Sequence, residues 1–96
     1  RKKSKTYGKF FSIVLSEKNA LALFIPSGFA HGYYSMEKEN IIYYKLDNYY
    51  NPKFESGISY NDPELAIKWK NKKMIISKKD QSLLTFKQFR KKFKYL

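Results

Sequence analysis

Ninety-six residues make at most one small domain, and 43% hydrophobic with 19% aromatic residues is too apolar for a disordered chain. The net charge of +12, from 20 Lys and Arg against 8 Asp and Glu, fits either a solvated lysine surface or an anionic partner. Zero cysteines and one histidine argue against a disulfide framework and an all-protein metal centre; no apolar run nears the ~18 residues of a membrane span and no signal-peptide pattern opens the chain, so the expected location is cytoplasmic.

The elements follow in chain order. The chain begins at Arg1 and not at methionine, and reads as a piece of something longer. Lys9–Leu15, carrying Phe10, Phe11, Ile13 and Val14, reads as a first strand. Ser16-Glu17-Lys18-Asn19 is a polar turn, Ala20–Ile25 a second strand and Ala30–Met36 a third. Glu37-Lys38-Glu39-Asn40 turns into a fourth strand at Ile41–Asp47. Asn48–Glu55 is a long loop, followed by a short strand at Gly57–Tyr60 and a turn at Asn61-Asp62-Pro63. Pro63–Ala66 can begin one helical turn, while Ile67-Lys68-Trp69 fits a strand equally well; Met74-Ile75-Ile76 is a short apolar run. Leu84, Phe86, Phe89, Phe93 and Leu96 recur at roughly helical spacing, which predicts an amphipathic helix over Gln81–Leu96. Turn signals every 8–12 residues between short runs argue for an all-β sandwich or barrel with a short C-terminal helix.

The only histidine lies in Ile25-Pro26-Ser27-Gly28-Phe29-Ala30-His31-Gly32-Tyr33-Tyr34. Pro26 ends the preceding apolar run, Gly28 suits a turn that needs positive φ, and Gly32 leaves the imidazole free of bulk on one side. By itself a lone histidine is more often packed or solvated than functional. This segment is followed in register by Tyr43-Tyr44-Lys45, Asn48-Tyr49-Tyr50-Asn51-Pro52, Glu55-Ser56-Gly57-Ile58, Asn61-Asp62-Pro63, Ile67-Lys68-Trp69 and Ser77-Lys78-Lys79-Asp80. Together these words closely resemble the dTDP-4-dehydrorhamnose 3,5-epimerase family, from Arg1 to about Asp80. The resemblance covers the second half of that enzyme. It implies that residues 1–96 are the C-terminal part of a single cupin-like jelly-roll β-barrel domain, partial here because the N-terminal half is absent, and that the barrel assembles as a homodimer.

The implied reaction is epimerisation of dTDP-4-keto-6-deoxyglucose at the two carbons flanking its keto group, a step of dTDP-rhamnose biosynthesis. Each inversion needs a base, an acid on the opposite face and a donor near the enolate oxygen, with no cofactor. The resemblance makes Tyr44 the acid, since a phenol keeps its proton at neutral pH and can deliver it to a carbanion. Period-two alternation puts Ile42, Tyr44 and Leu46 on one face and Tyr43 on the other. Asp80 matches the carboxylate that pairs with the family's base histidine; read as a residue alone, it is equally an N-cap for the helix that follows. Tyr44 and Asp80 are thus expected to face one shared cavity. His31, Glu55 and Lys79 match substrate-binding positions, Lys79 as an ammonium suited to a diphosphate. Tyr49 and Tyr50 flank the loop, where either packs on a base or serves structure, and Ser4, Thr6 and Gly8 match structural positions.

The base histidine belongs to an Arg-Gly-Leu-His word of the first half, which this chain lacks, and His31 matches a different position. Lys70 stands after Trp69 where the family often has proline, and the interval to Asp80 is slightly short. The half is therefore expected to be inactive alone. Two other readings stay open: a single-site 3- or 5-epimerase of a related sugar, and a non-enzymatic basic β module whose retention on nucleic acid would fall steeply with salt. A degenerate copy that pairs with an intact subunit is a further possibility.

Overall fold

Thr85-Phe86-Lys87-Gln88 has the spacing of a capping box, and a helix starts there. The computed structural model describes residues 1–71 and 73–94. Among these residues the α-helices are α1, Lys78–Gln81, and α2, Phe86–Lys92, with a 3-10 turn at Pro52–Phe54. Thr85 accepts from the Gln88 N–H at 3.2 Å, while the Gln88 side chain accepts from the Thr85 N–H at 2.8 Å. Arg90, Lys91 and Lys92 fill the last turn, where positive charge suits the carbonyl end. The predicted helix over Gln81–Leu96 is therefore cut short at its start. Ser82 ends α1, and Leu84 is drawn into a parallel bridge with Ile58 before α2 begins. Tyr95 and Leu96 lie outside the described residues.

The packing centre is the junction of α2 with the 57–69 segment. Phe86 is the one buried hydrophobic side chain among the described residues, at 6% exposure. Tyr7 covers it with ring centroids 5.4 Å apart, and the Arg90 guanidinium lies 4.8 Å above its ring. Arg90 also binds Glu64 through two parallel hydrogen bonds of 2.6 and 2.7 Å. Beside them, Asp62 is only 3% exposed. Its Oδ1 accepts from the Glu64 and Leu65 N–H groups at 3.0 and 2.9 Å, and its Oδ2 accepts from the Phe86 N–H at 2.8 Å. One carboxylate thus caps the turn at 62–66 and ties it to the first residue of α2. The Ala66 N–H closes that turn on the Asp62 carbonyl at 3.0 Å, with Ala66 at φ 48°. Past the turn, Trp69 donates its Nε1–H to the Tyr60 carbonyl at 2.7 Å and meets Tyr34 edge-on.

The predicted turns form where polar side chains can close them. Ser16 and Asn19 exchange side-chain-to-backbone hydrogen bonds of 3.1 and 3.2 Å, and Asn40 donates to the Glu37 carbonyl. Gly28 takes φ 96°, the positive value its turn needs. Ser4, Thr6 and Gly8 belong to consecutive turns, with Ser4 and Thr6 hydroxyls 3.0 Å apart. Between these turns the four apolar runs within residues 9–47 carry no ladder pairing among the described residues, and their large side chains are exposed apart from the half-buried Tyr34. The total accessible surface, 9783 Å² for 11.5 kDa, far exceeds the about 5,800 Å² of a folded monomer of this mass. The radius of gyration, 14.5 Å, likewise exceeds the about 12.5 Å of a compact domain this long.

Candidate functional site

Asn51 begins the arrangement by accepting from the Lys53 N–H at 3.1 Å, which caps the Pro52–Phe54 turn and sets Glu55 at its end. A solvent-open hollow of about 540 Å³ lies against this loop, lined by Leu46, Asp47, Asn48, Tyr49, Tyr50, Asn51, Phe54 and Glu55. Across its rim the Lys79 ammonium donates to Glu55 Oε2, joining residues 24 apart in sequence. The Glu55 hydrogen bond, and then its charge, hold the Lys79 ammonium above the usual lysine range, aided by Tyr50 and Asp80. Both side chains are substantially exposed, so the pair orients Lys79 more than it stabilises the chain. Glu55→Gln is expected to leave the urea unfolding midpoint unchanged within error, the same midpoint falling clearly if the pair were structural.

Asp80 sits in the first turn of α1, and the cap of that helix is Ser77. The alternative in which Asp80 is the N-cap of the helix that follows is corrected: Asp80 lies inside α1, and the cap of α2 is Thr85. Ser77 Oγ accepts from the Asp80 N–H at 3.0 Å and donates to Asp80 Oδ2 at 2.7 Å. The Ser-x-x-Asp spacing announces this pattern in the sequence, although only the structure shows both bonds. Asp62 carried no comparable signal, because two of its three donors come from the adjacent turn and the third from a residue 24 positions on.

Tyr44 lies in a run whose large side chains are all exposed. Ile42 and Tyr44 are 47% and 72% exposed, against 100% and 81% for Ile41 and Tyr43. Neither Tyr44 nor His31 hydrogen-bonds another described side chain, and both are exposed. The structure thus brings Glu55, Lys79 and Asp80 into one neighbourhood through the loop and α1. It does not gather Tyr44 and Asp80 around a single enclosed cavity: neither lines the hollow at 46–55. Residues 41–47 enter no ladder among the described residues, and Tyr44 and Asp80 are both exposed.

The model of the dTDP-4-dehydrorhamnose 3,5-epimerase family matches residues 1–88. The chain belongs to the dTDP-4-dehydrorhamnose 3,5-epimerase family. It is similar to the dTDP-4-dehydrorhamnose 3,5-epimerase of Methanothermobacter thermautotrophicus, at 41% identity over 85% of this chain and 46% of the relative. The Escherichia coli enzyme of the same name is 40% identical over 88% of this chain and 46% of its own length. The Sinorhizobium fredii one is 34% identical over 97% and 48%. This epimerase-family chain therefore spans about half the length of the curated relatives it matches. No solved structure matches it. Among its described residues no helix is long and apolar enough to cross a membrane.

Proposed function

We propose that this chain is the C-terminal half of a dTDP-4-dehydrorhamnose 3,5-epimerase, acting on dTDP-4-keto-6-deoxyglucose in nucleotide-sugar biosynthesis. The observation that carries the reading is the run of family matches across nearly the whole chain at 34–41% identity, against under half of each relative. In this reading Tyr44 returns a proton to the carbanion, and Asp80 orients and charges the base imidazole, which arrives from the other half. Lys79 and Glu55 hold the nucleotide diphosphate end, and His31 contacts the substrate near the sugar. No metal or redox step is needed, because abstraction and return of an α-proton beside a ketone require only acid, base and an oxyanion donor.

The same reading makes the domain a cupin-like jelly roll, assembled as a homodimer and working in the cytoplasm. The exposed apolar runs at 9–47 support it, because two halves of one barrel cover each other's apolar faces and pair each other's open strand edges. Separated, each half keeps its uncovered surface. The 96 residues alone are expected to turn over no dTDP-4-keto-6-deoxyglucose, with activity recovered when the first half is supplied in cis or in trans. A coupled assay of rhamnose formation measures both arms; turnover by the 96 residues alone would overturn the reading.

A further inference from the structure

We propose that Ser77 is a positioning residue for epimerisation: its hydroxyl locks the Asp80 carboxylate with one oxygen engaged and the other free for the base imidazole. This rests on the role given above to Asp80. The hydroxyl has a single proton, and it is committed to Asp80 Oδ2 at 2.7 Å. Ser77 Oγ in turn accepts from the Asp80 N–H at 3.0 Å, so the carboxylate is folded back onto the first turn of its own helix. Oδ1 has no hydrogen-bond partner among the described residues, and Asp80 is exposed. An imidazole needs one acceptor for its one spare N–H, and a single open carboxylate oxygen in a set plane supplies it.

Two neighbours keep that oxygen open. Lys79 adjoins Asp80 and would otherwise fold onto it, but its ammonium is held by Glu55. Gln81, on the other side, is turned back to the Ile76 carbonyl at 2.9 Å. Lys79 and Gln81 thus direct their donors away from Asp80 Oδ1, and among the described residues Ser77 is the side chain that hydrogen-bonds the carboxylate.

The test uses the full-length polypeptide that carries this segment, with Ser77→Ala, Ser77→Thr, Ser77→Asp and Asp80→Asn. Threonine keeps both the cap and the donor. Aspartate keeps the capping acceptor and loses the donor; alanine loses both. Misplacing a reacting group by about 1 Å can cost on the order of 100-fold, so Ser77→Ala and Ser77→Asp are expected to lower kcat about 10- to 100-fold with KM nearly unchanged. Ser77→Thr is expected to restore kcat, and Ser77→Asp to melt close to the parent despite its slow turnover. Parental kcat in Ser77→Asp, or a loss confined to KM or to melting temperature, would reduce Ser77 to a helix cap and overturn the proposal. Asp80→Asn separates the two levels: with its kcat intact, the role of Asp80 fails and takes Ser77 with it. A slow Asp80→Asn beside fully active Ser77→Ala and Ser77→Asp removes Ser77 alone.

Discussion

Asp62→Ala is expected to lower the unfolding free energy by about 2–4 kcal/mol, the largest stability effect of any single substitution outside the aromatic packing. Three backbone N–H groups share that one carboxylate, and Phe86, whose N–H is among them, is the buried ring among the described residues. Alanine leaves all three donors without an acceptor where water has little access. Asp62→Asn keeps one acceptor and should lose about half as much. Urea unfolding of the parent and both variants measures the difference, and a loss for Asp62→Ala no larger than that of an exposed carboxylate would refute the hub.

The same group makes a pH prediction with a definite sign. Burial of Asp62 raises its pKa, but the N–H groups of Phe86, Leu65 and Glu64, with the Arg90 charge, outweigh it and hold the carboxyl below its ordinary 3.8. A depressed folded-state pKa means that the charged form is bound more tightly in the folded chain. The stabilisation is therefore complete above about pH 3.8 and is lost as pH falls through the lower folded value. Asp62→Asn should flatten this acid limb while leaving the region above pH 5 parallel to the parent.

Tyr44→Phe in the full-length polypeptide is expected to reduce formation of the inverted sugar by about 10²–10⁴-fold, the usual worth of a positioned general acid. The base is untouched by this change. Solvent deuterium should therefore still enter the carbons beside the keto group, through abstraction and return on the same face, while inversion fails. Asp80→Asn should suppress exchange and inversion together, because an imidazole without its carboxylate is a weaker base at the first step. Mass spectrometry of the recovered substrate and product separates the two outcomes. Loss of exchange as well as inversion in Tyr44→Phe would remove its assignment as the acid.

Much of the local structure was legible because its causes are local. The turns at Ser16–Asn19 and Glu37–Asn40 close through side chains within three residues, and Gly28 was readable as a positive-φ position from its Pro-Ser-Gly setting. The C-terminal helix was legible in kind and not in extent. Its apolar spacing runs on from Leu84 to Leu96, yet the capping box at Thr85 and the bridge of Leu84 to Ile58 set a later start. Periodicity registers which side chains are apolar, and it cannot register which neighbour removes a residue from the helix.

The candidate site divides in the same way. Glu55, Lys79 and Asp80 were named from the words that contain them, and the sequence alone determined the family, since residue types in a fixed order over nearly the whole chain identify ancestry without any contact being known. Only the tertiary structure decided that Glu55 meets Lys79 across 24 residues, that Ser77 holds Asp80, and that Asp62 joins the 62–66 turn to Phe86. Ion pairs and buried caps depend on which distant segments share a volume. That is set by the summed packing of the whole chain, so no short window of residues contains it.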